Sequence, residues 1–138
     1  MAQRKFIDGV WQQGDGQTTD NTTPLTLLSI DTSSTSWAPD GLATDNCVIM
    51  AKIRLMGFDT GTTEGVTYYG MKSWIKQSGT LTSFGTLTDI HRIASVSFAT
   101  FSPQGIVSGN SMQFQVLGIS GKTIDWQADW QVSIWQPA

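Results

Sequence analysis

The sequence predicts an all-β protein, an antiparallel β-sandwich or jelly-roll-like fold of about eight strands. Three observations lead there. Several segments alternate apolar and polar residues in twos, and none carries a helical stripe. The acids are ten aspartates and one glutamate, Glu64, and only 14% of residues are charged. Exposed helix positions favour Glu, Lys, Ala and Leu, whereas Thr, Ser, Gly and Asp favour strands, turns and caps. Finally, turn-forming clusters punctuate the chain at intervals of roughly 10 to 18 residues.

The segment "RKFIDGVW" (4–11) is a short strand, followed by a loop, "QQGDGQTTDNTTP" (12–24), with no periodicity. Together they form a short N-terminal arm, about 1–20, on a single domain spanning 1–138. "PLTLLSID" (24–31) is the next strand, and "TSSTSWAPDGLATDN" (32–46) is a polar connection. In it Pro39 presets φ, Asp40 caps and Gly41 takes the left-handed position of a turn.

"CVIMAKIRLMGF" (47–58) places Ile49, Ala51, Ile53 and Leu55 on one face and Lys52 and Arg54 on the other. Met50 and Met56 share the Lys/Arg side, so that side is not purely a solvent face. "DTGTTEG" (59–65) is a hairpin-type loop. In "VTYYGMKSWIKQ" (66–77), Tyr68, Lys72, Trp74 and Lys76 oppose Tyr69, Met71 and Ile75, and Gly70 marks a bulge or a close backbone approach.

"SGTLTSFGTLTDIHRI" (78–93) reads as a turn and a weaker strand, and "ASVSFATF" (94–101) as another strand. "SPQG" (102–105) turns the chain, "IVSGN" (106–110) is short, and "SMQFQVLGI" (111–119) alternates Met112, Phe114 and Val116 with glutamines. "SGK" (120–122) closes a hairpin into "IDWQADWQVSIWQ" (124–136). That last strand puts Ile124, Trp126, Ala128, Trp130, Val132 and Ile134 on one side, a core face, and leaves Trp135 among aspartates and glutamines. No repeat of 20–50 residues is present, which argues against a propeller or solenoid.

Composition excludes several classes. A net charge of −3 without any Lys/Arg cluster argues against a nucleic-acid partner. No apolar run approaches the roughly 20 residues of a membrane span. One cysteine, Cys47, cannot staple the fold internally, and synthesis in a host cytoplasm is expected.

Candidate chemistry is thin. His91 is the single histidine; a triad would need Ser95 or Ser97 beside it and Asp89 behind it, and a plain surface His–Asp pair is the commoner arrangement. "GKT" (121–123) lacks the glycine spacing and following helix of a phosphate loop. The Asp-Thr-Gly at 59–61 would act as an aspartic protease only if two copies paired their Asp59 side chains. Asp15, Asp20, Asp40 and Asp45 lie in loops without calcium-loop spacing and read as turn caps. No catalytic residue, metal or cofactor is expected, and the protein reads as not an enzyme.

Three stretches carry a resemblance: 20–30, 47–76 and 112–132. Their marks are Asp20 and Pro24, Gly57 and Tyr68 or Tyr69, and Val116, Gly118, Gly121, Lys122, Thr123, Ile124 and Trp126. Together these resemble β-sandwich domains of tailed-bacteriophage virion proteins, departing at Leu25, where Thr is usual. The resemblance implies a virion structural protein of the head-decoration (cement) or tail-fibre type, commonly a homotrimer.

The reading that follows is a capsid decoration protein binding across capsomers, with the major capsid protein or other virion proteins as partners. A short arm suits a clamp, so Arg4, Lys5, Phe6, Ile7, Trp11 and Trp135 are its expected interface residues. The alternative is a carbohydrate- or receptor-binding domain of a tail fibre or tip, with Trp37, Tyr68 and Trp74 exposed to stack on sugar rings.

Overall fold

The computed structural model describes residues 5–33, 46–98 and 100–136. Eight strands follow one another: β1 (Lys5–Thr18), β2 (Leu25–Asp31), β3 (Cys47–Asp59), β4 (Gly65–Gln77), β5 (Thr80–Ala94), β6 (Ser102–Ser108), β7 (Ser111–Leu117) and β8 (Ile124–Gln136). They form a five-stranded sheet, β1-β8-β3-β4-β5, and a three-stranded sheet, β2-β7-β6, with every pair antiparallel. The fold is the all-β sandwich that the alternation predicts.

Period-two patterning explains the core directly. On β3, Ile49, Ala51, Ile53 and Leu55 are fully buried, and on β8 so are Ile124, Trp130, Val132 and Ile134. Met112, Phe114 and Val116 of β7 meet them from the smaller sheet and are equally buried. Trp130 packs edge-on against Trp74 at 5.9 Å, and Trp126 against Phe98 at 6.2 Å. Gly57 lies opposite Trp126 on the neighbouring strand, and a methyl group there would collide with the indole ring. Removing roughly 150–250 Å² per tryptophan from water is worth about 4–6 kcal/mol each before entropy is charged. The indole N–H of Trp126 donates to Thr18 Oγ1 at 2.8 Å, while that of Trp130 finds no acceptor among the described residues.

Four expectations need correction. Residues 12–18 are not loop but the second half of β1, paired residue for residue with β8 as far as Thr18 opposite Ile124. The glycines that suggested a loop serve close packing. A side chain at Gly14 would strike the Leu27 carbonyl, and one at Gly16 the Leu25 side chain. The stretch 1–20 is therefore no free arm from Lys5 to Thr18.

The segment after β7 is not a hairpin turn. Leu117 belongs to the smaller sheet and Ile124 to the larger, so residues 118–123 carry the chain across the sandwich. The 94–101 strand is instead the end of β5 and a 3-10 turn, Val96–Phe98, whose Phe98 is fully buried against Trp126. Finally, "SPQG" opens β6 as a strand. Pro103 is tolerated because β6 is an edge of its sheet.

Replacing Trp130 with Ala is expected to cost about 3–5 kcal/mol in denaturant unfolding. Replacing it with Phe should cost far less, because the ring volume is largely kept and an unpartnered buried donor, itself worth about 1–3 kcal/mol of penalty, is removed. Equal losses in the two variants would contradict this account of the site.

Candidate functional site

The larger sheet has one face on the core and one outside, and the strand register fixes what the outer face displays. Phe58 pairs with Asp125, Met56 with Gln127, Arg54 with Asp129 and Lys52 with Gln131 across β3 and β8. On the other flank, Met56 pairs with Thr67, Arg54 with Tyr69 and Lys52 with Met71 of β4. Beyond β8, β1 adds Trp11 opposite Gln131 and Asp15 opposite Gln127. Beyond β4, β5 adds Ile93 opposite Thr67 and His91 opposite Tyr69.

This face is unusually apolar. Trp11, Met56, Phe58 and Ile93 are 58%, 57%, 56% and 63% exposed. Met56 and Phe58 form a ridge between two open grooves. The groove toward β1, about 610 Å³, is walled by Asp15, Gln17, Asp125 and Gln127, with Gln17 Nε2 donating to Asp125 Oδ1 at 2.8 Å. The groove toward β5, about 530 Å³, has Gly65 on its floor and Thr67, Ile93 and Ala94 along its side. At the centre the Arg54 guanidinium forks onto the Asp129 carboxylate, with Nε 2.8 Å from Oδ1 and Nη2 on Oδ2. Trp11 and Tyr69 border that pair on either side.

The structure disperses the residues expected to form an interface. Arg4 and Trp37 lie outside the described residues. Lys5, Phe6 and Ile7 belong to β1, opposite Gln136, Trp135 and Ile134. Trp11 is on the outer face and well exposed, and Trp135 is partly exposed beside Val48 of β3.

Two of the expected sugar contacts are corrected. Tyr68 and Trp74 are 3% and 0% exposed. The reason is strand parity: the face of β4 that carries Lys72 and Lys76 is the inner one. Trp74 Nε1 donates to the Ile106 carbonyl at 3.3 Å, and Tyr68 meets Phe101 edge-on at 6.2 Å. Burial pushes the Tyr68 phenol above its ordinary range, with the Asp89 carboxylate adding to the effect. Among the described residues the exposed aromatics are Trp11, Phe58 and Phe84, with Tyr69 partly exposed. The signal of Phe58 and Tyr69 in the sequence was the pair of methionines on the Lys/Arg side of β3, which marks that face as more than solvent-facing.

His91 sits on the outer face with Nε2 3.3 Å from Thr67 Oγ1. A register shift separates it from Asp89, whose carboxylate instead pairs with Arg92 Nε at 3.0 Å. Asp20 accepts hydrogen bonds from the backbone N–H groups of Thr22 and Thr23, a turn cap as expected. Among the described residues no three His, Cys, Asp or Glu side chains are grouped to hold a metal ion.

Asp59, of the Asp-Thr-Gly triplet, is nearly buried and structural. It accepts from the Gly61 N–H at 2.9 Å and from Lys122 Nζ at 3.2 Å, which also reaches Glu64 at 3.5 Å. The lysine of "GKT" is therefore committed to closing the 59–65 loop. Hydrogen bonding from Gly61, joined by Lys122, holds the Asp59 carboxyl below the usual carboxylate range.

No protein-family model matches the chain, and no curated protein matches it. Among solved structures it is similar to the tailspike protein of Acinetobacter baumannii phage AM24, at 11% identity and a TM-score of 0.45, over 93% of this chain and 26% of that one. It is also similar to the tailspike protein of Acinetobacter phage vB_ApiP_P1, at 9% identity and a TM-score of 0.40, over 91% of this chain and 20% of that one. The chain thus spans about a quarter and a fifth of the length of these two proteins.

A lowered carboxyl pKa contributes stability that is present above the unfolded value and lost as pH falls through the folded one. The Asp59 contribution should therefore hold at neutral pH and fade below the ordinary aspartate value of 3.8. Acid unfolding followed by circular dichroism is expected to be less steep with pH in Asp59→Asn than in the unchanged chain; identical slopes would contradict the assignment.

Proposed function

We propose that the chain is a structural β-domain of a bacteriophage virion, working by packing against neighbours and without catalysis or cofactor. The observation that carries this is the apolar outer face of the larger sheet. Single exposed hydrophobes are ordinary, but a contiguous set rimmed by polar groups marks a surface that is covered in use. Met56, Phe58 and Ile93 are such a set, and Trp11 is exposed on the same face beside the Arg54–Asp129 pair. The resemblance of residues 20–30, 47–76 and 112–132 to phage virion domains supplies the kind of particle. Repetition on a particle suits contacts that are weak singly and strong together.

Head decoration drew on a clamp-like arm at 1–20. With Lys5–Thr18 hydrogen-bonded along β8, the arm no longer favours that placement, and the resemblance fits a head-decoration and a tail-fibre domain alike. Sugar recognition, as at a tail fibre or tip, is a second reading with its own observation. The groove beside Phe58 combines an exposed ring with the carboxylates of Asp15 and Asp125 and the amides of Gln17 and Gln127. Rings stack on sugars while such groups take their hydroxyls.

Imaging particles assembled with and without this protein decides between the placements. Density at capsomer junctions and lost heat resistance on omission are expected for decoration. Density at the tail and lost adsorption, with glycan binding abolished by Phe58→Ala in a folded protein, are expected for the second reading. Particles identical in both preparations would overturn the virion role.

A further inference from the structure

The outer face of the larger sheet is broad enough to be an interface by itself. Five strands spaced about 4.8 Å apart, with roughly 3.3 Å per residue over a 13-residue strand, give about 24 by 43 Å, on the order of 1,000 Å². A specific interface of standard size uses about 800 Å² from each partner. The face also displays the side-chain types that interface centres select, with Trp11, Arg54, Met56 and Tyr69 close together.

We propose that this face pairs with the same face of a second copy about a two-fold axis. Its charges select both the partner and the position of the axis. Lys52 lies six residues along β3 from Phe58, and Phe58 pairs with Asp125. Lys52 and Asp125 are therefore about 20 Å apart along the strands of one chain, on adjacent strands. Among the described residues neither takes part in an ion pair.

An axis crossing the strands at the level of Leu55 and its partner Ala128 exchanges the Phe58 level with the Lys52 level. It sets Lys52 of one copy beside Asp125 of the second, and symmetry makes that contact twice. The same rotation brings Phe58 over the Lys52 stem and lays Met56 against Tyr69, while each Arg54–Asp129 pair stays within its own chain. Apolar side chains are then covered on both copies at once, and the like charges brought nearest, Asp15 of one copy and Asp129 of the other, meet where Arg54 already neutralises Asp129.

The proposal rests on the outer face being a covered surface and is independent of which particle holds it. Sedimentation of the purified chain across micromolar concentrations tests it. A dimer is expected, weakened about tenfold by Lys52→Glu and by Asp125→Lys separately, since each change sets like charges beside each other across the axis, and regained in the double variant. Near-ultraviolet circular dichroism should be unchanged in all three, because both positions are exposed. A monomer throughout, a dimer indifferent to the three variants, or the trimer that the sequence resemblance implies would overturn it. Any of these results would leave the virion role to be decided by the particle imaging.

Discussion

Trp126 and Trp130 stand on a strand that pairs along its whole length with two others. β8 is bracketed by β1 and β3, each matched to it almost residue for residue from one end to the other. Because side chains alternate, placing Trp130 inside fixes the parity of β8, and the two ladders then transmit that parity to both neighbours. Ile53 lies opposite Trp130 on β3 and must face the core; Arg54 must therefore face out, beside Asp129. The inner packing and the outer display are one decision. A slip of one residue on β8 would drive Asp125 and Asp129 into the core, at several kcal/mol per unpaired charge.

The same parity carries two lysines indoors. Lys72 and Lys76 share the inner face of β4 with Trp74, and each is only 3% exposed. Burial pulls the Lys72 ammonium below the ordinary lysine range, so its place has to be compensated. Its Nζ is 2.7 Å from Ser83 Oγ and from the Gly85 carbonyl, and 3.3 Å from the Phe84 carbonyl. Three acceptors suit three ammonium protons, and a hydrogen bond to a charged group contributes about 1.5–3 kcal/mol. The consequence is local. These acceptors lie where the β4–β5 register shifts, so the lysine fastens the irregular part of an edge strand. Asn110 Oδ1 accepts from the Leu81 N–H nearby, which occupies part of the same edge. An edge strand managed in this way is less open to strand pairing with another chain.

What could be read from the sequence follows from the same physics. Alternation gave the buried sets of β3, β7 and β8, because each of those strands has one wet face and one dry face. It misled on β4. Lysines usually mark the wet face, and nothing local reveals that a partner strand will offer carbonyls to an inward ammonium. Glycines 14 and 16 looked like loop punctuation, since close approach to β2 is a property of the second sheet and has no signature within β1. The Ser-Gly-Lys segment reads as a hairpin because a turn signal fixes a change of direction and not the sheet the next strand joins. The outer face was half legible. Met50 and Met56 beside Lys52 and Arg54 marked it as unusual, but assembling Phe58, Tyr69 and Ile93 on it required the register of four strands.

A stable core does not require an apolar outer face, and the sequence had polar alternatives at hand. The outer face of the smaller sheet uses them: Gln113 and Gln115 bond to Ser29 and Thr26, making a neutral ladder of short polar groups. On the larger sheet, Phe58 and Met56 take positions that the core does not constrain, between Asp125 and Gln127 on one side and Gly65 and Thr67 on the other. An exposed Phe adds nothing to the sandwich and raises the risk of aggregation. Two faces of one sandwich with opposite compositions, one self-satisfied and one apolar with Lys52 and Asp125 outside any ion pair among the described residues, are the arrangement expected when only one side meets a partner. Packing inside therefore accounts for the buried aromatic residues, and contact outside accounts best for Trp11, Phe58 and Tyr69.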